Sequence, residues 1–191
     1  MRKLGMQIAV VLLLFVGVST TGNPRIQSSG TSVAQTVASQ STLAPMQTFT
    51  SADGRFSILF PGAVKQESQN INLKNGEVTK LYEFSADDDD GNTSYIVMYN
   101  DYAADVVNTA PQTLLMRTRD GAVAGKTLLT DVEFSLSGVP GRAYTASDPD
   151  GWQYDVHEFL SGVRFYQLII TTGKGHTATR RDQFMNSFRI L

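Results

Sequence analysis

The amino-acid sequence predicts an α+β fold: a mainly antiparallel β-sheet with two helices packed on it, an α/β/α-type sandwich. Three observations lead there. First, the stretch Gly138–Thr172 reads as three strands joined by tight turns, and its last strand, Arg164–Thr172, is apolar on both faces. A strand of that kind needs cover from both sides. Second, the hydrophobic period changes from two to near-helical in two places, after Pro111 and after Thr177. Third, hairpin signals such as Asn75-Gly76 and Ser161-Gly162 make neighbouring strands antiparallel. A chain of 191 residues is long enough to bury one real core.

The elements follow in order. The domain begins near Phe49. Phe56, Ile58 and Phe60 alternate with Ser57 and Leu59 in a first strand that Pro61-Gly62 stops. Val64–Leu73 alternates loosely, turns at Asn75-Gly76 and returns as Glu77–Ala86. After the turn Asp87–Asn92, Thr93–Tyr102 has apolar residues on both faces, as a covered central strand requires. Pro111 suits the first turn of a helix. Leu114, Leu115, Thr118 and Ala122 form its inner side, and Gly125 suits its C-terminal cap. Gly121 weakens that helix by about 1 kcal/mol relative to Ala, so packing must hold it. Lys126–Leu136 reads as a half-buried strand with Leu128, Val132, Phe134 and Leu136 on one face. Gly138-Val139-Pro140-Gly141 turns the chain into Arg142–Ala146, and Pro149-Asp150-Gly151 turns it again. Trp152, Tyr154, Val156 and Leu160 then share one face, and Gln153, Asp155 and His157 the other. After Arg164–Thr172, Thr177 can cap a second helix that carries Ala178, Phe184, Met185 and Phe188 inward and Arg180, Arg181 and Asp182 outward. A short extended stub ends at Leu191.

Two segments precede the domain. Residues 1–21 have a signal-peptide layout: Arg2 and Lys3, an apolar run from Met6 to Val18, then small residues. The run is short of the ~20 residues that a spanning helix needs; the alternative is an uncleaved N-terminal anchor. Cleavage fits near Thr20 or after Ala34. Residues 22–47, rich in Ser, Thr, Gln and Ala, cannot bury enough surface to offset their ordering entropy and read as a flexible tether or a plain disordered leader. The domain is then 48–191.

Composition excludes several classes. With 16 Lys and Arg against 18 Asp and Glu there is no basic excess for a phosphate backbone, so nucleic acid is not an expected partner. The chain contains no cysteine. It therefore has no disulfide, thiolate nucleophile or Cys-held metal, and no lipid-bearing Cys after the apolar run.

Candidate chemistry is sparse. Asp87–Asp90 could offer oxygen ligands to Ca²⁺, but successive residues of a turn point in different directions and the EF-hand spacing is absent. A solvated turn that discourages edge pairing is the favoured reading. Asp155 and His157 share a strand face, as acid–base work requires, yet no third ligand or nucleophile accompanies them. His176, with Lys174, Arg180 and Arg181, stands where a helix start could bind an anion, but Gly173-Lys174-Gly175 lacks phosphate-loop spacing. No Gly-x-Ser-x-Gly elbow exists. Trp152, Tyr154, Phe165 and Tyr166 read as core, some of them able to rim a pocket. No catalytic, cofactor-binding or metal residue is assigned, no cofactor is expected, and the chain is not expected to be an enzyme.

Gly54-Arg55-Phe56-Ser57-Ile58-Leu59-Phe60-Pro61, the strand Arg164-Phe165-Tyr166-Gln167-Leu168 and the helix Asp182-Gln183-Phe184-Met185-Asn186-Ser187-Phe188 resemble the PsbP-like family. Gly138-Val139-Pro140-Gly141-Arg142 looks like a turn of its exported bacterial members. The resemblance covers roughly Phe49–Leu191. The aromatic residue that often follows the first Pro-Gly is absent, and so is a lipid-anchoring Cys. The family's founding member is an extrinsic lumenal subunit of photosystem II. The resemblance implies an exported, non-enzymatic interaction domain, an accessory or assembly factor of a membrane complex, reaching the membrane through that partner. Its address would be the periplasm, a thylakoid lumen or the cell exterior. The alternative is a soluble small-molecule or ion-binding module. Oligomeric state is not legible.

Overall fold

The computed structural model describes residues 45–72, 78–88 and 91–191. The leader, the tether up to residue 44, the Asn75-Gly76 turn, Asp89 and Asp90 lie outside the described residues. Among the described residues, ten strands and two α-helices, with a short 3-10 helix at Val106–Asn108, follow in the order β1 (Gln47–Ser51), β2 (Phe56–Phe60), β3 (Lys65–Asn72), β4 (Val78–Asp87), β5 (Thr93–Asp101), α1 (Pro111–Ala122), β6 (Thr127–Leu136), β7 (Val139–Ser147), β8 (Gln153–Ser161), β9 (Arg164–Thr172), α2 (Arg181–Met185) and β10 (Arg189–Ile190). The α+β class and the mainly antiparallel sheet are as the sequence predicts. Seven strands form one sheet in the order β3-β4-β5-β9-β8-β7-β6, every neighbouring pair antiparallel.

The first sequence-predicted strand does not join that sheet. β2 lies between β1 and β10 in a separate three-stranded sheet. Its Phe56, Ile58 and Phe60 face Phe84, Tyr95, Val97 and Tyr99 of the large sheet and Phe184 and Phe188 near the C-terminus. The small sheet therefore supplies cover that the sequence reading gave to a second long helix. That helix is reduced to five residues packed on β2. Thr177 does not cap it; the chain turns from Gly173 to Ala178 and the helix starts after Arg180. α1 packs on the opposite face of the large sheet, against β7 and β8. There Leu114, Leu115, Leu160 and Phe165 meet Val106, and Val156, Ile169, Ile96 and Met98 continue the core beyond them.

Aromatic rings hold the small sheet to the large one. Phe56 touches the rings of Phe49, Phe84, Tyr99, Tyr166 and Phe188 at centroid distances of 5.3–6.4 Å. Offset and edge-on rings at such spacings each contribute about 0.5–1.5 kcal/mol beyond area burial. The central strand β9 buries residues of both faces, as its apolar sequence demands.

Two turn and strand readings change. The turn before β7 is Ser137-Gly138, both at positive φ (51° and 85°), and Val139, Pro140 and Gly141 already belong to the strand. A two-residue turn of this hand matches the twist of the strands it joins. β6 is an exposed edge strand rather than a half-buried one, with Leu129 and Val132 both above 55% exposed. An irregularity between Leu128 and Thr130 also puts Leu128 on the face opposite Val132, so the four apolar residues read as one face do not share it.

Candidate functional site

The sequence-predicted candidates disperse in three directions. Of the acidic turn, Asp87 and Asp88 are described, and neither is simply solvated. Asp87 accepts hydrogen bonds from Ser94 (2.6 Å) and Lys65 (3.3 Å). Asp88 is nearly buried; it accepts a hydrogen bond from the Tyr95 hydroxyl at 3.0 Å and lies 3.4 Å from Nε of Arg180. That contact corrects the placement of Arg180, which is 4% exposed instead of facing outward. Burial, with the neighbouring Asp88 carboxylate, pushes the Tyr95 hydroxyl well above the usual tyrosine range.

The anion reading at His176 loses two of its three cations. Arg180 is committed to Asp88, and Arg181 bonds Asp155 and Asp182. Lys174 packs its stem against Gly151. Asp155 is accordingly occupied, while His157 is half-buried beside the Phe134 ring, 5.2 Å between centroids. Burial holds His157 below the ordinary histidine value. The two residues share a face, but the Asp155 carboxylate is bonded by Arg181. Phe165 and Tyr166 are core residues, whereas Trp152 is 40% exposed, which corrects its assignment to the core. Among the described residues no group of three or more His, Cys, Asp or Glu could hold a metal ion. Among the described residues no helix is long and apolar enough to cross a membrane.

Two features that the sequence reading missed stand on the sheet face that carries α1. The first is a buried polar cluster centred on Glu158 of β8, which has no solvent exposure. In register across the sheet, Glu158 lies between Arg142 of β7 and Gln167 of β9. Its Oε1 accepts hydrogen bonds from the Tyr144 hydroxyl (3.0 Å) and the Gln167 amide (2.9 Å). Its Oε2 lies 2.7 Å from the Thr118 hydroxyl of α1. Arg142 does not bond it. That guanidinium is bidentate on Asp131 of β6 and also reaches Glu133, and Arg119 of α1 bonds the same Asp131. Desolvation pushes the Glu158 carboxyl up to about 7 against the pull of its donors and of Arg142. The sequence signal was present: Glu158 interrupts the apolar face of Tyr154, Val156 and Leu160.

The second feature is a groove of about 600 Å³ over β3, β4 and β5, on the part of that face which α1 leaves open. Its floor includes Leu81 and Ile96, and Glu67, Gln69 and Glu83 stand on its walls. Glu67 and Glu83 are directly opposed across the β3–β4 pair. Like charges so placed are destabilising. Burial, and then the neighbouring Glu67, holds the Glu83 carboxyl above its ordinary value. Among the described residues no ion pair engages either glutamate. With Lys65 paired to Asp87 on the same lining, the two glutamates leave the groove net negative, which favours positive charge.

No family model and no curated protein sequence matches the chain. Solved structures do. A cyanobacterial PsbP from Synechocystis is similar at a TM-score of 0.52 with 12% identity, over 80% of this chain and 96% of that one. A protein of unknown function from Pseudomonas aeruginosa, described as a putative regulator, gives a TM-score of 0.38 with 8% identity, over 67% of this chain and 83% of that one. A Bacteroides thetaiotaomicron protein gives 0.38 with 11% identity, over 75% and 48%. The first likeness is one of fold, and it makes the PsbP-like resemblance of the sequence plausible at the level of architecture.

Proposed function

We propose that this chain is an exported, non-enzymatic interaction domain that serves a membrane complex as an accessory or assembly factor. The observation that carries the reading is the fold likeness to cyanobacterial PsbP, which spans nearly the whole of that protein. In a photosynthetic cell the complex would be of the photosystem II kind. The described site chemistry supports the same reading: Asp155, His157 and the arginines are tied up in structural contacts, and the open groove over β3–β5 offers a docking surface. Export rests on the leader-like residues 1–21, and residues 22–47, read as a tether, would give the domain reach from a membrane surface.

The test is a mild cross-link and pull-down of the tagged protein from its native membranes, with composition read by mass spectrometry. Recovery of one integral membrane complex in near-equal amount is expected. Recovery of the protein alone, in a soluble exported fraction, overturns the reading. A second reading, a small-molecule or ion-binding module, is favoured by the groove itself. Ligand binding there raises the melting temperature by mass action. A ligand screen that shifts the melting temperature of the native chain but not of Glu67→Gln/Glu83→Gln would select it.

A further inference from the structure

The Thr118 hydroxyl has one hydrogen and two acceptors in reach: the Leu115 carbonyl at 2.8 Å, within α1, and Oε2 of Glu158 at 2.7 Å. Both contacts are hydrogen bonds at the same time only if Glu158 supplies a proton. Protonated Glu158 donates from Oε2 to Thr118, Thr118 donates on to Leu115, and Oε1 still accepts from Tyr144 and Gln167. Ionised Glu158 must instead draw the Thr118 hydrogen to itself, and the bond to Leu115 is lost. The ion then sits without solvent access, with no cation bonded to it, among Val156, Ile169, Leu160 and Phe165. A buried carboxylate in that position is costly.

We propose that Glu158 is a proton-operated fastener between α1 and the sheet: protonated, it holds the helix through Thr118 without a buried charge, and ionised, it keeps the Thr118 bond but buries a charge with no bonded cation, which favours opening of the helix from β7 and β8 to admit water. The groups that face it are few. Tyr144 and Arg142 approach from β7, Gln167 from β9, Thr118 from α1 and Tyr102 from the segment after β5. Arg119 of α1 and Asp131 of β6 act one step further out, through Tyr144. Arg142 acts on Glu158 as a positive charge without bonding it, and its own hydrogen bonds go to Asp131 and Glu133. The carboxyl value near 7 puts the change at neutral pH, with the clamped form below it. Sealing of the helix onto the sheet is thereby tied to the acidity of the compartment.

Two measurements test this on the full chain. In the first, glutamate carrying ¹³C at the side-chain carboxyl is followed by NMR from pH 4 to 9. One carboxyl, absent from Glu158→Gln, should titrate between about pH 6 and 8; a Glu158 resonance titrating near pH 4.5 overturns the proposal. In the second, amide exchange protection of Leu114–Ala122 is compared at pH 5.5 and 8.5 after correction for intrinsic exchange. Protection in α1 should fall at least tenfold at the higher pH, while the central strands β5 and β9 change less than threefold. In Glu158→Gln, whose amide N–H₂ can donate to Thr118 as the acid does, α1 should stay within twofold. Equal loss of protection in α1 and β9, or an unchanged pH response in Glu158→Gln, overturns it. The NMR titration of the native chain decides the matter should that variant fail to fold.

Discussion

Replacing glycine by alanine where the backbone conformation suits alanine commonly stabilises a protein, by about 0.4–1 kcal/mol, because the unfolded chain loses freedom. Gly54 should do the reverse. An ideal Cβ at Gly54 would stand 2.7 Å from Cε1 and 2.8 Å from Cδ1 of Phe56, and 2.8 Å from Oγ of Ser51. Carbon atoms in good contact are about 3.5–4.0 Å apart. The ring cannot retreat, because Phe56 has no solvent exposure and is enclosed by five other rings. The backbone cannot retreat freely either: the Gly54 N–H donates to Ser51 Oγ at 3.0 Å, and the Gly54 carbonyl accepts from the Tyr166 hydroxyl at 2.8 Å. Overpacking of a tight core costs about 1–3 kcal/mol, and disturbing the Ser51 bond adds about 1 kcal/mol. Less the unfolded-state gain, Gly54→Ala should lose roughly 1–3 kcal/mol. Gly62 is the control, since no heavy atom lies within 4 Å of its Cβ position and its φ is not positive. Gly62→Ala should gain about 0.4–1 kcal/mol. Urea unfolding followed by the fluorescence of Trp152 reads both. With a slope of about 2 kcal/mol per molar urea, the midpoint should fall by roughly 0.5–1.5 M for Gly54→Ala and rise by roughly 0.2–0.5 M for Gly62→Ala. A Gly54→Ala midpoint at or above that of the native chain would refute the packing argument.

Three further outcomes are expected. Arg180→Met should lose about 3–5 kcal/mol by leaving Asp88 buried without its cation, and adding Asp88→Asn should restore most of it; urea midpoints of the single and double variants check this. His157 is held below its ordinary value, so the unfolded state takes up the proton first; stability should fall as pH drops below about 6.5 until the folded-state value is reached. Glu158, with its raised value, has the opposite sign over about pH 4.5–7, so the His157 effect is measured by comparing Glu158→Gln with Glu158→Gln/His157→Gln, of which the second should lose the acid-side slope. Val132→Lys on the exposed edge β6 should change stability by no more than about 0.5 kcal/mol, yet raise the protein concentration at which heating causes aggregation, read by light scattering.

Most strands were legible because their periods and turns were. Tyr95, Val97 and Tyr99 against Ile96 and Met98 specify a strand covered on both faces whatever covers it, and Pro111 with Leu114 and Leu115 marks α1. What escaped were features set by partners distant in sequence. Nothing local in Phe56–Phe60 distinguishes a strand of the large sheet from one pairing with residues 189–190. Thr177 has the chemistry of a helix cap, but the helix start is fixed after Arg180, which reaches Asp88 on a different hairpin. The irregularity in β6 shifts Leu128 to the other face, which a strict alternation cannot register. Glu158 looks like one charge among 18 acidic residues until α1 is laid over it, and the Glu67–Glu83 opposition exists only through the β3–β4 register.

The three-stranded sheet also has a temporal meaning. β1 and β2 are the first of the described strands to be synthesised and β10 is the last of them, yet Arg189 sits opposite Ser57, and the Leu59 N–H donates to the Ser187 hydroxyl. Phe184 and Phe188 fill the middle of the aromatic core from the same late segment. Until that segment emerges, the rings of Phe56 and Phe60 lack part of their packing, and the large sheet lacks part of its cover. Native closure thus waits for nearly the whole domain to be made, which favours a pliant chain through synthesis and an abrupt commitment to structure at its end.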